Sequence, residues 1–153
     1  MASNSIREQI LTRTAIVLAA ITAVGSVKRK VVASLNELKE TPFPLFPIIY
    51  MTAGLPVPLH GGYVTLRESG DSANLRSILE ISLRTYGLDK SSPDTAISTL
   101  AEDIWAKLYD DPTVNSLAEG VTVKLQRETT FFEPFYRFDI LYEVEYIHDT
   151  DNL

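Results

Sequence analysis

Tyr136-Arg137-Phe138-Asp139-Ile140-Leu141-Tyr142-Glu143-Val144-Glu145-Tyr146 is the stretch that decides the fold. Tyr136, Phe138, Ile140, Tyr142, Val144 and Tyr146 fall on alternate positions, with Arg137, Asp139, Glu143 and Glu145 mostly between them. A period of two belongs to a strand with one buried face. Upstream, Val121, Val123 and Leu125 alternate with Thr122, Lys124 and Gln126 after a turn at Glu119-Gly120, and the pattern continues toward Phe131. The two runs predict a long C-terminal β-hairpin.

Two further strands are legible before it. Between Leu75 and Leu88, Leu79, Ile81, Leu83 and Thr85 share one face and Glu80, Ser82 and Arg84 the other. Ile48-Ile49-Tyr50-Met51-Thr52-Ala53 has the composition and length of a buried strand. Its lead-in, Thr41 to Pro47, is expected to be extended, because three prolines remove three ladder donors. Val27 to Ala33 is a shorter candidate. Residues 55–74 read as an irregular excursion rich in glycine and proline, with a possible strand at Tyr63 to Arg67.

Helix signals flank these strands. Ser5-Ile6-Arg7-Glu8 has the capping-box form, and Ile6, Ile10, Val17, Ile21 and Val24 recur at helical spacing, with Leu11 and Leu18 widening the stripe. This predicts a helix from Ile6 to Val24, closed by Gly25 in the left-handed conformation. Ser92-Pro93-Asp94 opens a second helix. There Ile97, Leu100, Ala101, Ile104, Trp105 and Leu108 form the expected apolar face, with Trp105 as its anchor. The order of elements gives an α+β class: one mixed, largely antiparallel sheet, two main helices packed on a face, and the terminal hairpin. The chain reads as a single domain, 1–153, with a polar tail at 148–153.

Composition narrows the chemistry. The absence of cysteine rules out disulfides, thiolate metal sites and a cysteine nucleophile. A net charge of −6 argues against a nucleic-acid or anionic-membrane surface as the main partner. The apolar stretch Thr14 to Val24 falls well short of the roughly 20 residues that span a bilayer, and charged residues interrupt any signal-peptide pattern, so a cytoplasmic product is expected. The two histidines, His60 and His148, have no partner at ligand spacing. No nucleophile elbow, P-loop or dinucleotide fingerprint occurs, and His60-Gly61-Gly62-Tyr63 reads as a turn. No catalytic residue, metal site or cofactor is expected.

What remains is surface. Phe131, Phe132 and Phe135 crowd the hairpin tip, where polar residues are the rule, and mark a partner surface. Lys28, Arg29 and Lys30 form the only dense basic cluster, whereas Glu143, Glu145 and Asp149 lie on the last strand. A head-to-tail contact between copies could pair the two sets.

The pieces I-R-E-Q-I-L (6–11), A-I-T-A-V-G-S-V (20–27), P-L-F-P-I-I-Y (44–50), I-L-E-I-S-L-R-T-Y-G (78–87), A-E-D-I-W-A-K-L-Y-D-D-P-T-V (101–114) and F-D-I-L-Y-E-V-E-Y (138–146), in this order, resemble the tail terminator and tail completion proteins of long-tailed bacteriophages. The resemblance covers most of the chain, and excursion 55–74 exceeds the short polar loop of that family. It implies a homo-oligomer, a hexameric ring, made in the host cytoplasm and placed in the virion at the tail or neck. The ring caps the tail tube, meets tail tube and neck or connector proteins, and lets DNA pass only through its lumen. Another neck or head-to-tail connector ring is the related alternative. A small ligand-binding domain or enzyme, with the excursion as a lid, is the distinct one.

Overall fold

The computed structural model describes residues 5–32, 34–58, 74–89, 91–112, 114 and 117–149, with the side chains of 58, 74–76, 125–128, 148 and 149 outside that description. The excursion's central residues, with His60 and the possible strand at Tyr63 to Arg67, therefore lie outside the described residues. So do residues 150–153 of the tail.

Helix α1 spans Ile6–Ala19, α2 Leu35–Glu40 and α3 Pro93–Tyr109, and a single 3-10 turn covers Phe43–Leu45. The strands are β1 (Ser26–Lys28), β2 (Ile48–Ala53), β3 (Val57–Pro58), β4 (Asn74–Leu88), β5 (Gly120–Phe132) and β6 (Phe135–Asp149). Among the described residues they form one sheet in the order β1-β2-β4-β6-β5, with β3 paired to β4. Only β1 and β2 run parallel. The expected mixed, mostly antiparallel α+β architecture is the observed one. The hairpin turns through Glu133 and Pro134, and β6 continues to Asp149, opposite Asn74.

Alternation assigns the two faces. Ile49 and Met51 of β2, Leu79, Ile81 and Leu83 of β4, and Tyr136, Phe138, Ile140, Tyr142, Val144 and Tyr146 of β6 are all buried in the main core. Helices α1 and α3 cover that face with Ile10, Leu11, Val17 and Leu18, and with Ile97, Leu100, Ile104 and Leu108. The Arg13 guanidinium donates to Asp111 at 3.0 Å and ties α1 to the end of α3. Arg7 donates to the carbonyls of Gly54 and Ala53, at 3.0 and 3.1 Å, and fixes the end of β2.

Several expectations need correction. Helix α1 stops at Ala19, not Val24. Ile21 and Val24 are nevertheless buried, because two tight turns (Ile21 N–H to Leu18 O, Val24 N–H to Ile21 O) tuck them into the same core. The apolar spacing therefore outlasts the helix. Gly25 is needed for proximity instead of a left-handed cap: a Cβ there would sit 2.5 Å from the Leu45 carbonyl group, while Gly25 N–H donates to Pro47 O at 2.8 Å. Half of the capping box forms. Ser5 Oγ accepts from Glu8 N–H at 3.1 Å, but the Glu8 carboxylate turns to Arg29, which holds its pKa below the usual range.

Strand β1 ends at Lys28, well before Ala33. Arg29 leaves the strand direction to meet Glu8, and Lys30 to meet Glu37. The crossover to β2 then contains the unforeseen helix α2, whose Leu38 packs on the face opposite α1 and α3. Trp105 is the clearest miss. It is 46% exposed and stacks edge-on against Tyr109, with ring centroids 5.6 Å apart. The buried stripe of α3 is Ile97, Leu100, Ile104 and Leu108, and Trp105 lies one residue round the helix from it.

Ile104→Ala should therefore lower unfolding free energy by about 2–5 kcal/mol, and Trp105→Ala by no more than about half the roughly 3–5 kcal/mol of a fully buried tryptophan. Urea denaturation followed by circular dichroism compares them, and an equal or larger loss for Trp105→Ala would place the indole in the core. Gly25→Ala, which pushes a methyl group into the 45–46 backbone, should cost about 1–3 kcal/mol in the same assay. An unchanged midpoint would mean that the Gly25 contact is not tight.

Candidate functional site

Among the described residues, the second face of the sheet is covered at one end only. There Leu38 of α2 meets Ile48, Tyr50, Tyr86 and Phe135 in a smaller core, with Val32, Phe46, Leu88 and Phe132 packed around it. Alternation puts these side chains there, since Ile48 and Tyr50 are the β2 residues skipped by the main core. Five rings form a chain of tilted and T-shaped contacts through this cluster. Phe46 lies 5.8 Å from Phe135, Phe135 lies 5.5 Å from Phe132, Phe132 lies 6.3 Å from Tyr86, and Tyr86 lies 5.6 Å from Tyr50. These spacings are those of favourable aromatic pairs.

The hairpin-tip expectation is thus divided. Phe135, only 5% exposed, belongs to the core, which corrects its reading as a contact residue on the surface. Phe132 is half-buried in the ladder, and Phe131 is 50% exposed. The crossover between β1 and β2 carries more exposed apolar surface than sequence suggested: Phe43 is 74% exposed, and Val31 and Leu35 are exposed as well. A signal was available. Phe43 sits between two prolines in a segment that cannot join the sheet, so no element was at hand to bury it.

The charged candidates lie apart. Lys28 ends edge strand β1, whereas Glu143 and Glu145 lie on β6, with β2 and β4 between them. Arg29 is held by Glu8 (Nη2 to Oε2, 3.0 Å), Lys30 by Glu37, and Glu143 by Lys124 at 2.7 Å. Lys28 has no ion-pair partner among the described residues. The Asp149 side chain, like that of His148, lies outside the description. The carboxylate of Glu143 raises the Lys124 pKa by accepting its hydrogen bond.

Among the described residues, no group of three His, Cys, Asp or Glu side chains could hold a metal ion, and no helix is long and apolar enough to cross a membrane. No protein-family model and no curated protein matches the chain. Among solved structures, a chain of "Virion of native gene transfer agent (GTA) particle" is similar over 94% of this chain and 92% of its own, at 12% identity and a TM-score of 0.36.

The division of the tip is testable by stability. Phe135→Ala should cost about 3–5 kcal/mol, as for a buried phenylalanine, whereas Phe43→Ser and Phe131→Ser should each change stability by under about 1 kcal/mol. Equal losses at all three positions would show that the outer rings also belong to the core.

Proposed function

We propose that the chain is a structural virion assembly protein of the tail-terminator type, acting by self-association into a ring that caps the tail tube and meets the neck. The observation that carries this reading is the aromatic end of the sheet. Phe43 and Phe131 are presented to solvent by segments that the Phe46-Phe135-Phe132-Tyr86-Tyr50 ladder holds in place. Exposed rings on a fixed support are the surface expected of a subunit that docks on copies or on an adjacent ring. The observed order of elements also supports the reading, because the resemblance to tail terminators rests on that order.

Contacts in such a ring would be mainly apolar. Arg29, Lys30 and Glu143 would each have to give up an internal partner to bridge two copies, which leaves Lys28 as the freest of the charged candidates. Exposed pairs are worth only about 0.2–1 kcal/mol each, so exchanging one for another yields little net gain.

Light scattering after size exclusion, combined with electron microscopy of purified protein mixed with tail tubes, tests the proposal. The expected result is a closed ring, or capping of tube ends, that survives 0.5 M salt and is lost in the Phe43→Ser/Phe131→Ser double variant with an unchanged circular dichroism spectrum. A double variant that assembles like wild type refutes the aromatic surface, and a wild type that neither closes nor caps refutes the ring.

A further inference from the structure

A cavity of about 180 Å³ opens between the start of the β1–β2 crossover and the second face of β2 and β4. Lys30, Tyr50, Thr52, Ser82 and Arg84 supply its polar wall, beside two valines. Sheet register explains the grouping: Tyr50 is directly opposite Arg84, and Thr52 directly opposite Ser82, so a phenol, a guanidinium and two hydroxyls share one small area.

The charge of this wall differs from that of the chain. Both ionisable groups with fixed charge in it are cations, in a protein of net charge −6. Arg84 spends Nε on Asp139 at 3.1 Å, and its two terminal nitrogens have no partner among the described residues. Lys30 gives one hydrogen bond to Glu37. Tyr50 is only 2% exposed, yet its hydroxyl makes no hydrogen bond among the described residues. Burial, reinforced by Glu37 and Tyr86, raises its pKa to about 12, so it stays protonated and able to donate at neutral pH. A buried polar group without a partner calls for a ligand or a water, and every unspent group in this wall is a donor or a hydroxyl.

We propose that this cavity binds a small oxyanion, phosphate or carboxylate in size, between the Arg84 guanidinium and the Lys30 ammonium, with the Tyr50 hydroxyl donating the third hydrogen bond. Glu37 and Asp139 face the two cations from outside the wall, and Arg137 donates to Asp139 at 3.1 Å, so these five groups together carry one positive charge. Recognition therefore rests on converging donors more than on net field. The site is independent of the assembly role and survives its failure.

Calorimetric titration of the full chain with inorganic phosphate and, separately, with acetate, at ionic strength fixed by sodium chloride, tests it. A saturable isotherm for at least one anion is expected, with a melting temperature that rises with its concentration. Tyr50→Phe, which keeps the ring in its ladder, should weaken binding about tenfold, and Arg84→Gln about tenfold or more, as expected for hydrogen bonds to a charged group. In chloride alone Tyr50→Phe should melt no lower than wild type, because it removes an unpaired buried hydroxyl. The phosphate-to-acetate ratio tells a tetrahedral from a planar anion. No saturable binding of either, or equal affinity in wild type and both variants, overturns the proposal. Arg84→Lys replaces Arg84→Gln should the latter fail to fold.

Discussion

The antiparallel pairing of β4 with β6, unbroken from Asn74 opposite Asp149 to Leu88 opposite Phe135, sets the register to which the rest of the molecule is built. Side chains alternate along both strands, so a slip of one residue would send Ser82, Arg84 and Glu143 into the main core and expose Leu83 and Val144. A steric key adds to that apolar preference. The Tyr136 ring crosses β4 where Gly87 has no side chain, and a Cβ at that position would lie 2.0 Å from the ring. Gly87 is the only glycine of β4, so the ring has one place to lie.

From that pair the two faces diverge. The inner face is continuous with α1 and α3, and its cover is complete enough to bury Thr14, Ser77 and Thr85 along with the apolar side chains. Among the described residues, the outer face has one short helix and an irregular crossover to cover it, and aromatic rings close that end. Farther along, the same face is held by cross-strand charges: Arg84 with Asp139, and Lys124 with Glu143. Glu80 and Glu143 stand directly opposite each other, an unfavourable arrangement that the Lys124 ammonium offsets.

Much of this was legible because the long strands repeat a simple period. The alternation in β4 and β6 fixed which residues are buried at nearly every position, since a period of two leaves little freedom once one face is apolar. The failures have local causes. Helical spacing in α1 continued through Ile21 and Val24 because a core accepts side chains from turns as readily as from helices. Helix α2 is six residues long, too short for periodicity to reveal, and depends on its contact through Leu38. Helical spacing admits Trp105 to the apolar face, but Ile97, Leu100, Ile104 and Leu108 fill the buried stripe and leave the indole at its edge. The cavity at Tyr50 was invisible because it combines residues from three segments, and its orphan hydroxyl has no sequence signature.

The aromatic ladder also bears on what the exposed rings can do. A ring on a free loop must be ordered when it binds, and each immobilised side chain offsets about 0.5–1.5 kcal/mol of the contact it makes. Phe43 and Phe131 differ from that case. Phe43 sits in the 3-10 turn whose next residues include Phe46, and Phe131 precedes Phe132 on β5, so ladder rings anchor both segments within three residues. Phe135, which touches both Phe46 and Phe132, joins the crossover to the hairpin tip. Its burial is therefore compatible with a contact surface at this end of the sheet: the inner ring provides the rigidity and the outer rings provide the area.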